Sequence, residues 1–504
     1  MTPIAEKVLL DRTELFETEH LKADLKGRSI RGGAATVLGQ GASFVIQTGA
    51  TVVLARLLTP QDYGMIAMIT AVTGFVTLFK DLGLSMATVQ TDTITHEQVS
   101  TLFWVNVALS AVVMLVAMAL APAIAWFYGE PKLLPLTLVM AVGFIFGGLC
   151  VQHSALLRRQ MRFGSLALID ILQLAVSAVV GIGTALAGAG VWALVYMTLS
   201  GSLFNAVAVW VASPWWPGLP VRHANVRGML AFGANLTGFN ALNYFARNLD
   251  SILIGRVWGG AALGFYTKAY GLLLLPLQRI TAPVRAVAIP TLSRLQSEPE
   301  RYRRYFLRAV NSVAVVTVPI VCILGVFAPQ LIDILLGPQW SSVAVIFRVL
   351  AAAAIIEPVT EGAYWLLIST GQTRRLLYWR LITVPLLALS FLLGLPWGAL
   401  GVATMYTACS LLLFLPCLAY GSKHSPVRVT SFLAAIHRPF IWGGALLGAG
   451  FLGSAAARGI GIWPSFGSFA AMTGVGTVIL LRWPQARGEI GDCLGILQEL
   501  RCAR

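Results

Sequence analysis

TLFWVNVALSAVVMLVAMALAPAIA, residues 101–125, runs through 25 positions without a charged side chain. As an α-helix rising about 1.5 Å per residue it reaches about 37 Å, more than the roughly 30 Å of a bilayer's hydrocarbon core. A helix on a soluble core needs one apolar stripe, whereas this segment is apolar almost all round and reads as a membrane span. The pattern recurs on both sides of it, at 34–57, 64–89, 133–156, 165–187 and 190–211, then, after a Trp/Pro-rich stretch at 212–228, at 230–255, 263–289, 307–328, 342–368, 377–395, 398–420, 439–457 and 462–481. The expected fold is an all-α polytopic membrane protein of about 14 transmembrane helices. The composition agrees, with 57% hydrophobic and 11% charged residues over 504 positions, where soluble domains carry about 25% charge.

A net charge of +15 invites a nucleic-acid reading, but the positive residues fall in short loops between apolar segments rather than on one basic face. Positive residues concentrate in cytoplasmic loops. With the N-terminus inside, the inward segments carry 25 Lys and Arg and the outward ones four, Arg56, Lys132, Arg256 and Arg458. Both termini are therefore expected in the cytoplasm. Residues 1–28 mix five basic with six acidic side chains around no apolar core and do not read as a signal peptide. The six cysteines form no CxxC pair, and neither a metal site, a disulfide nor a cofactor is expected.

An internal repeat lies at an offset of 200 residues: Ala55-Arg56-Leu57-Leu58-Thr59 with Gly64, against Gly255-Arg256-Val257-Trp258-Gly259 with Gly264. Both copies start from the same side of the membrane, so the repeat is parallel about an axis along the membrane normal, with a central site expected between the halves. Asn240, Asn243, Arg247 and Asp250 recur at three- and four-residue spacing and share one helical face. At the repeat offset, Gln40, Ser43 and Gln47 stand opposite the first three. In the eighth span Lys268 and Arg279 are eleven residues apart, on nearly one face.

Charges inside spans are costly in hydrocarbon and mark cavities or pathways. A diphosphate crossing the bilayer needs such cations, so Arg247, Lys268, Arg279, Asn240, Asn243, Gln40 and Gln47 are expected to contact an anionic headgroup. A plain internal salt bridge between Arg247 and Asp250 is the competing reading. Arg285 and Arg308, near the inner ends of their spans, read as side chains that snorkel to the interface. The acids Asp250, Asp81 (beside Lys80), Asp170, Glu357 and Glu361 are candidates for carrying a coupling ion, against hydrogen bonding to neighbouring helices. Pro276, Pro283, Pro319, Pro358, Pro385 and Pro416 are expected to kink their helices. No outward loop exceeds about fifteen residues or holds a histidine, which argues against a membrane enzyme with its chemistry in an outer loop.

Several stretches carry a family resemblance: ARLLTPQDYGMIAM at 55–68, DLGLSMATVQ at 81–90, ALLRRQMRF at 155–163, NLDSILIGRVWGGAALGFYTKAYGLLLLPLQRITAPV at 248–284, PTLSRLQSEPERYRRYFLRA at 290–309 and LLGPQW at 335–340. With these the chain resembles the polysaccharide transporter branch of the multidrug/oligosaccharidyl-lipid/polysaccharide flippase superfamily, specifically the lipopolysaccharide and colanic-acid type oligosaccharide flippases. The resemblance spans about residues 28–380 and fades through the last four spans. It implies a bacterial inner-membrane flippase that moves undecaprenyl-diphosphate-linked sugar repeats to the outer leaflet by alternating access, working as a monomer beside other polysaccharide assembly proteins. It implies two six-helix lobes, placed at 33–211 and 229–420 around a cytoplasmic linker at 212–228. Two further helices at 437–481 and cytoplasmic ends at 1–32 and 482–504 complete that division. A cation-coupled drug exporter of the same superfamily is the alternative; it would call for an acidic central site.

Overall fold

The computed structural model describes residues 25–77, 84–91, 94–221 and 227–456. Among them every regular element is helical. The helices are α1 (Leu25–Leu57), α2 (Pro60–Thr77), α3 (Leu84–Gln90), α4 (His96–Tyr128), α5 (Leu133–Arg159), α6 (Phe163–Leu186), α7 (Trp192–Ala212) and α8 (Arg227–Arg294). They continue as α9 (Pro299–Val326), α10 (Ala328–Leu335), α11 (Ser341–Ser369), α12 (Thr373–Gly394), α13 (Gly398–Ser422) and α14 (Val429–Ala456). Thirteen of the expected spans fall on these helices, α8 carrying two of them. The fourteenth, 462–481, lies outside the described residues, as do Lys80 and Asp81 of the second. Nine helical stretches among the described residues are long and apolar enough to cross a bilayer, or ten counting a bent pair in α8. This is a multi-pass membrane protein.

Local chemistry sets the ends. Thr95 caps α4 by a capping box with Gln98, each side chain bonded to the other's backbone N–H, and Gly129 closes that helix in the left-handed conformation at φ 68°. Between α1 and α2 the chain turns at Thr59-Pro60. Asp62 Oδ2 accepts from the Thr59 N–H at 2.9 Å and from the Thr59 hydroxyl at 2.7 Å, starting a fresh helix with Pro60 in its first turn. Two hundred residues on, α8 breaks at Gly259, whose φ of 79° and ψ of −176° only glycine adopts readily. The repeat is thus structural as well as sequential. α8 bends again, by 44°, between Leu274 and Pro276, as proline in a helix interior dictates.

The two turns meet. A Cβ built on Gly64 would overlap the carbonyl oxygen of Gly260, and one on Gly264 would overlap that of Pro60. Exchanging the copies maps each contact onto the other, the reciprocity of a two-fold interface. Further along, the Tyr244 hydroxyl donates to the Thr70 carbonyl at 2.8 Å and packs on Gly74, so the first half of α8 lies against α2.

By packing, the chain divides into two compact units, the first ending at Gly264 and the second starting at Phe265. In the first, α4 packs on α5, α6 on α7 and α1 on α6. In the second, α9 packs on α14 and α11, and α11 on α13. Tyr302, Phe306, Trp365 and Phe432 form the fully buried centre of the second unit. Its spanning stretches Pro299–Val326 and Pro338–Ser369 are each 61% buried in protein, against 22–28% for the spanning stretches of the first unit.

Candidate functional site

The second half of α8 places the most charge inside a span. Leu273, Leu277, Thr281, Ala288 and Leu292, at helical spacing, are buried. The opposite face, exposed, carries Gln278, Arg279 and Arg285 among the small residues Ala282, Pro283 and Ala286. Among these small neighbours Arg279 is exposed. Arg279 lies in the middle of the expected span 263–289, where an arginine facing lipid costs at least about 2.5–3.5 kcal/mol. A face of this composition suits water and anions rather than acyl chains. Lys268 lies on the same helix, partly buried.

Arg285 does not simply snorkel, as its position near a span end led us to expect. Its Nη1 donates to Glu361 Oε1 of α11 at 3.0 Å, joining residues 76 apart in the chain. Only their tertiary meeting reveals this pair. Arg380 stands over the Tyr364 ring, 4.6 Å from its centroid, one turn beyond Glu361.

The other expected residues distribute as follows. Gln40 and Gln47 are exposed on one face of α1 while Ala50, Leu54 and Ala55 are buried. Asp250 is buried, and its Oδ1 accepts from the Ser251 N–H at 2.7 Å. Glu357 and Asp170 are exposed. Asn240, Asn243 and Arg247 lie on the first half of α8, but their side chains, like Asp81, fall outside the described residues. A cavity of about 350 Å³ lined by Pro329, Gln330, Asp333, Gly337, Pro338, Ser341 and Ala344 contains none of the expected residues.

An aromatic cluster that sequence reasoning missed fastens residues 213–221. His153, fully buried on α5, stacks on Trp210 at 4.4 Å and meets the edge of Trp215 at 5.0 Å. Trp215 Nε1 donates to His96 Nδ1 at 3.0 Å, Trp104 Nε1 to the Gly218 carbonyl at 2.8 Å, and the Gly218 N–H to Ser100 Oγ at 3.0 Å. These bonds strap the segment to the start of α4. The Trp-rich composition of 212–228 was the available signal.

A family model described as polysaccharide biosynthesis protein matches residues 53–345. The teichuronic acid biosynthesis protein TuaB of Bacillus subtilis (strain 168) is 27% identical over 79% of this chain and 83% of its own length. The succinoglycan biosynthesis transport protein ExoT of Rhizobium meliloti (strain 1021) is 25% identical over 69% of this chain and 70% of its own. Among solved structures, the lipid II flippase MurJ in an inward closed conformation matches with a TM-score of 0.66 and 13% identity, covering 90% of this chain and all of that one. At that identity the likeness is one of fold.

Proposed function

The chain belongs to the polysaccharide biosynthesis protein family, and from that premise we propose that it flips a lipid-linked oligosaccharide from the cytoplasmic to the outer leaflet of the bacterial inner membrane. The cargo is a sugar repeat unit on undecaprenyl diphosphate. The cycle is alternating access of two six-helix lobes, 33–211 and 229–420, with both termini in the cytoplasm and one chain sufficient. Other polysaccharide assembly proteins and the surrounding lipid are its partners; making bonds is not its task.

The observation that carries this reading is the exposed face of α8 bearing Gln278, Arg279 and Arg285 within a span. Guanidinium groups present several donors to phosphate oxygens, and a low-dielectric passage admits a diphosphate only if its charge is met. Lys268, Arg247, Asn240, Asn243, Gln40 and Gln47 are the further headgroup contacts that the sequence offers. Asp250, Asp81, Asp170, Glu357 and Glu361 remain the candidates for ion coupling. A drug exporter would call for an acidic central site for a cationic guest; the exposed face of α8 is basic instead, which favours an anionic one.

The test is complementation of the source organism's own deletion strain. Wild type should restore surface polysaccharide and clear lipid-linked repeat units from the cytoplasmic side. Arg279→Ala, expressed equally, should lower surface polysaccharide about tenfold or more, the loss expected of a charge-assisted phosphate contact. A deletion that leaves surface polysaccharide intact and changes only resistance to cationic drugs would overturn the flippase reading.

A further inference from the structure

We propose that Glu361 is a built-in competitor for the headgroup: it occupies Arg285 while the transporter is empty, yields it to a diphosphate, and thereby excludes weaker anions. This rests on the flippase reading above and assigns a specificity role within the same site.

The pair lies at a telling depth. Arg285 is four residues from the inner end of the span 263–289, and Glu361 seven from the inner end of 342–368, or about 6 and 10 Å at 1.5 Å per residue. By that topology this is where the phosphates of an inner-leaflet lipid approach the bilayer's polar boundary.

Stability does not account for the pair. The Arg285 side chain is 54% exposed and that of Glu361 24%, and ion pairs so open to solvent contribute little to folding. Apolar side chains in the same place would sit in a bilayer at lower cost. Nor is the pair locked. Glu361 Oε1 takes Nη1 alone, a single-point contact, whereas the guanidinium fork is shaped to hold two oxygens at once.

The headgroup's diphosphate, esterified by lipid at one end and sugar at the other, keeps a negative charge on each phosphate and several oxygens, enough to outbid one carboxylate oxygen. A monophosphate, with fewer oxygens to engage the fork, or a free carboxylate gains less for the same displacement of Glu361. For the displaced group the structure offers a second cation: Tyr364, three residues on and on the same helical face, carries Arg380 above its ring at 4.6 Å. The carboxylate then moves from one arginine towards the other as the headgroup loads, with no proton or covalent bond transferred.

The experiment measures binding of farnesyl diphosphate and farnesyl monophosphate to the full-length protein in nanodiscs. Wild type should prefer the diphosphate. Glu361→Gln, which removes the competitor's charge and keeps its shape, should bind the diphosphate about tenfold more tightly and narrow the gap to the monophosphate. Arg285→Gln should weaken the diphosphate by a similar factor. Glu361→Asp, charged but shorter, should fall between wild type and Glu361→Gln, a grading that a misfolded variant would not show. Unchanged or weaker diphosphate binding in Glu361→Gln, with Arg285→Gln impaired, would overturn the competition while leaving Arg285 as a contact. Were wild type to bind no diphosphate at all, the flippase reading would fall and this inference with it.

Discussion

The two turns at Thr59 and Gly259 occupy equivalent places in the repeat and are built by different chemistry. The first is a capped break: Thr59 and Asp62 bond to one another and Pro60 opens α2. The second uses no such cap; Gly259 takes a backbone conformation closed to other residues and the helix resumes at Gly260. What the copies share is the glycine five residues beyond each turn, Gly64 and Gly264, each pressed on the other copy's backbone. The turn can be made in either of two ways, but the crossing admits no side chain.

The largest effect should come from filling the crossing. Gly64→Leu puts side-chain atoms where the Gly260 carbonyl stands, and neither helix can give way without parting from the other. A loss of about 3 kcal/mol or more is expected, read as a collapse in monodisperse yield or a lowered unfolding midpoint in detergent. Gly264→Leu should do the same; a marked difference between the two would break the reciprocity. Gly259→Ala comes next, at about 1–3 kcal/mol for a non-glycine residue held in that backbone region. The smallest is Thr59→Ala, about 1 kcal/mol for a lost cap, because Pro60 still sets the turn. If Thr59→Ala proved the costlier of these last two, the ranking of cap below backbone would be wrong.

Much of the fold was legible because hydropathy reports bilayer thickness. The run 133–156 became α5 (Leu133–Arg159) and 190–211 became α7 (Trp192–Ala212). Helix starts in the interface were less legible. α9 begins at Pro299 rather than 307, since Tyr302 and Phe306 are buried while Arg301, Arg303 and Arg304 stay exposed, an amphipathic turn that an apolar window does not see. α14 begins ten residues before the expected 439, through His437 and Arg438, for the same reason. The repeat, six aligned positions of which two are identical in the sequence, proved to be the backbone crossing. In the candidate site, Arg279, Glu357 and Glu361 stood out from their place within spans, yet Arg285 was read as a snorkelling side chain. Its partner comes from another helix, and no local pattern encodes that. The expected lobe boundary lay at 229, whereas packing divides the chain after Gly264.

The crossing also sets a timetable. Residues 64 and 264 are 200 apart, and a ribosome adding about 5–20 residues per second needs roughly 10–40 s to cover that distance. Once α1 and α2 have been made, the backbone notch at Gly64 waits out most of that interval without Gly260 to fill it. The first unit is therefore completed only when more than half of the chain has been synthesised, and a nascent chain stalled before Gly260 would present an open joint to the membrane's quality-control machinery.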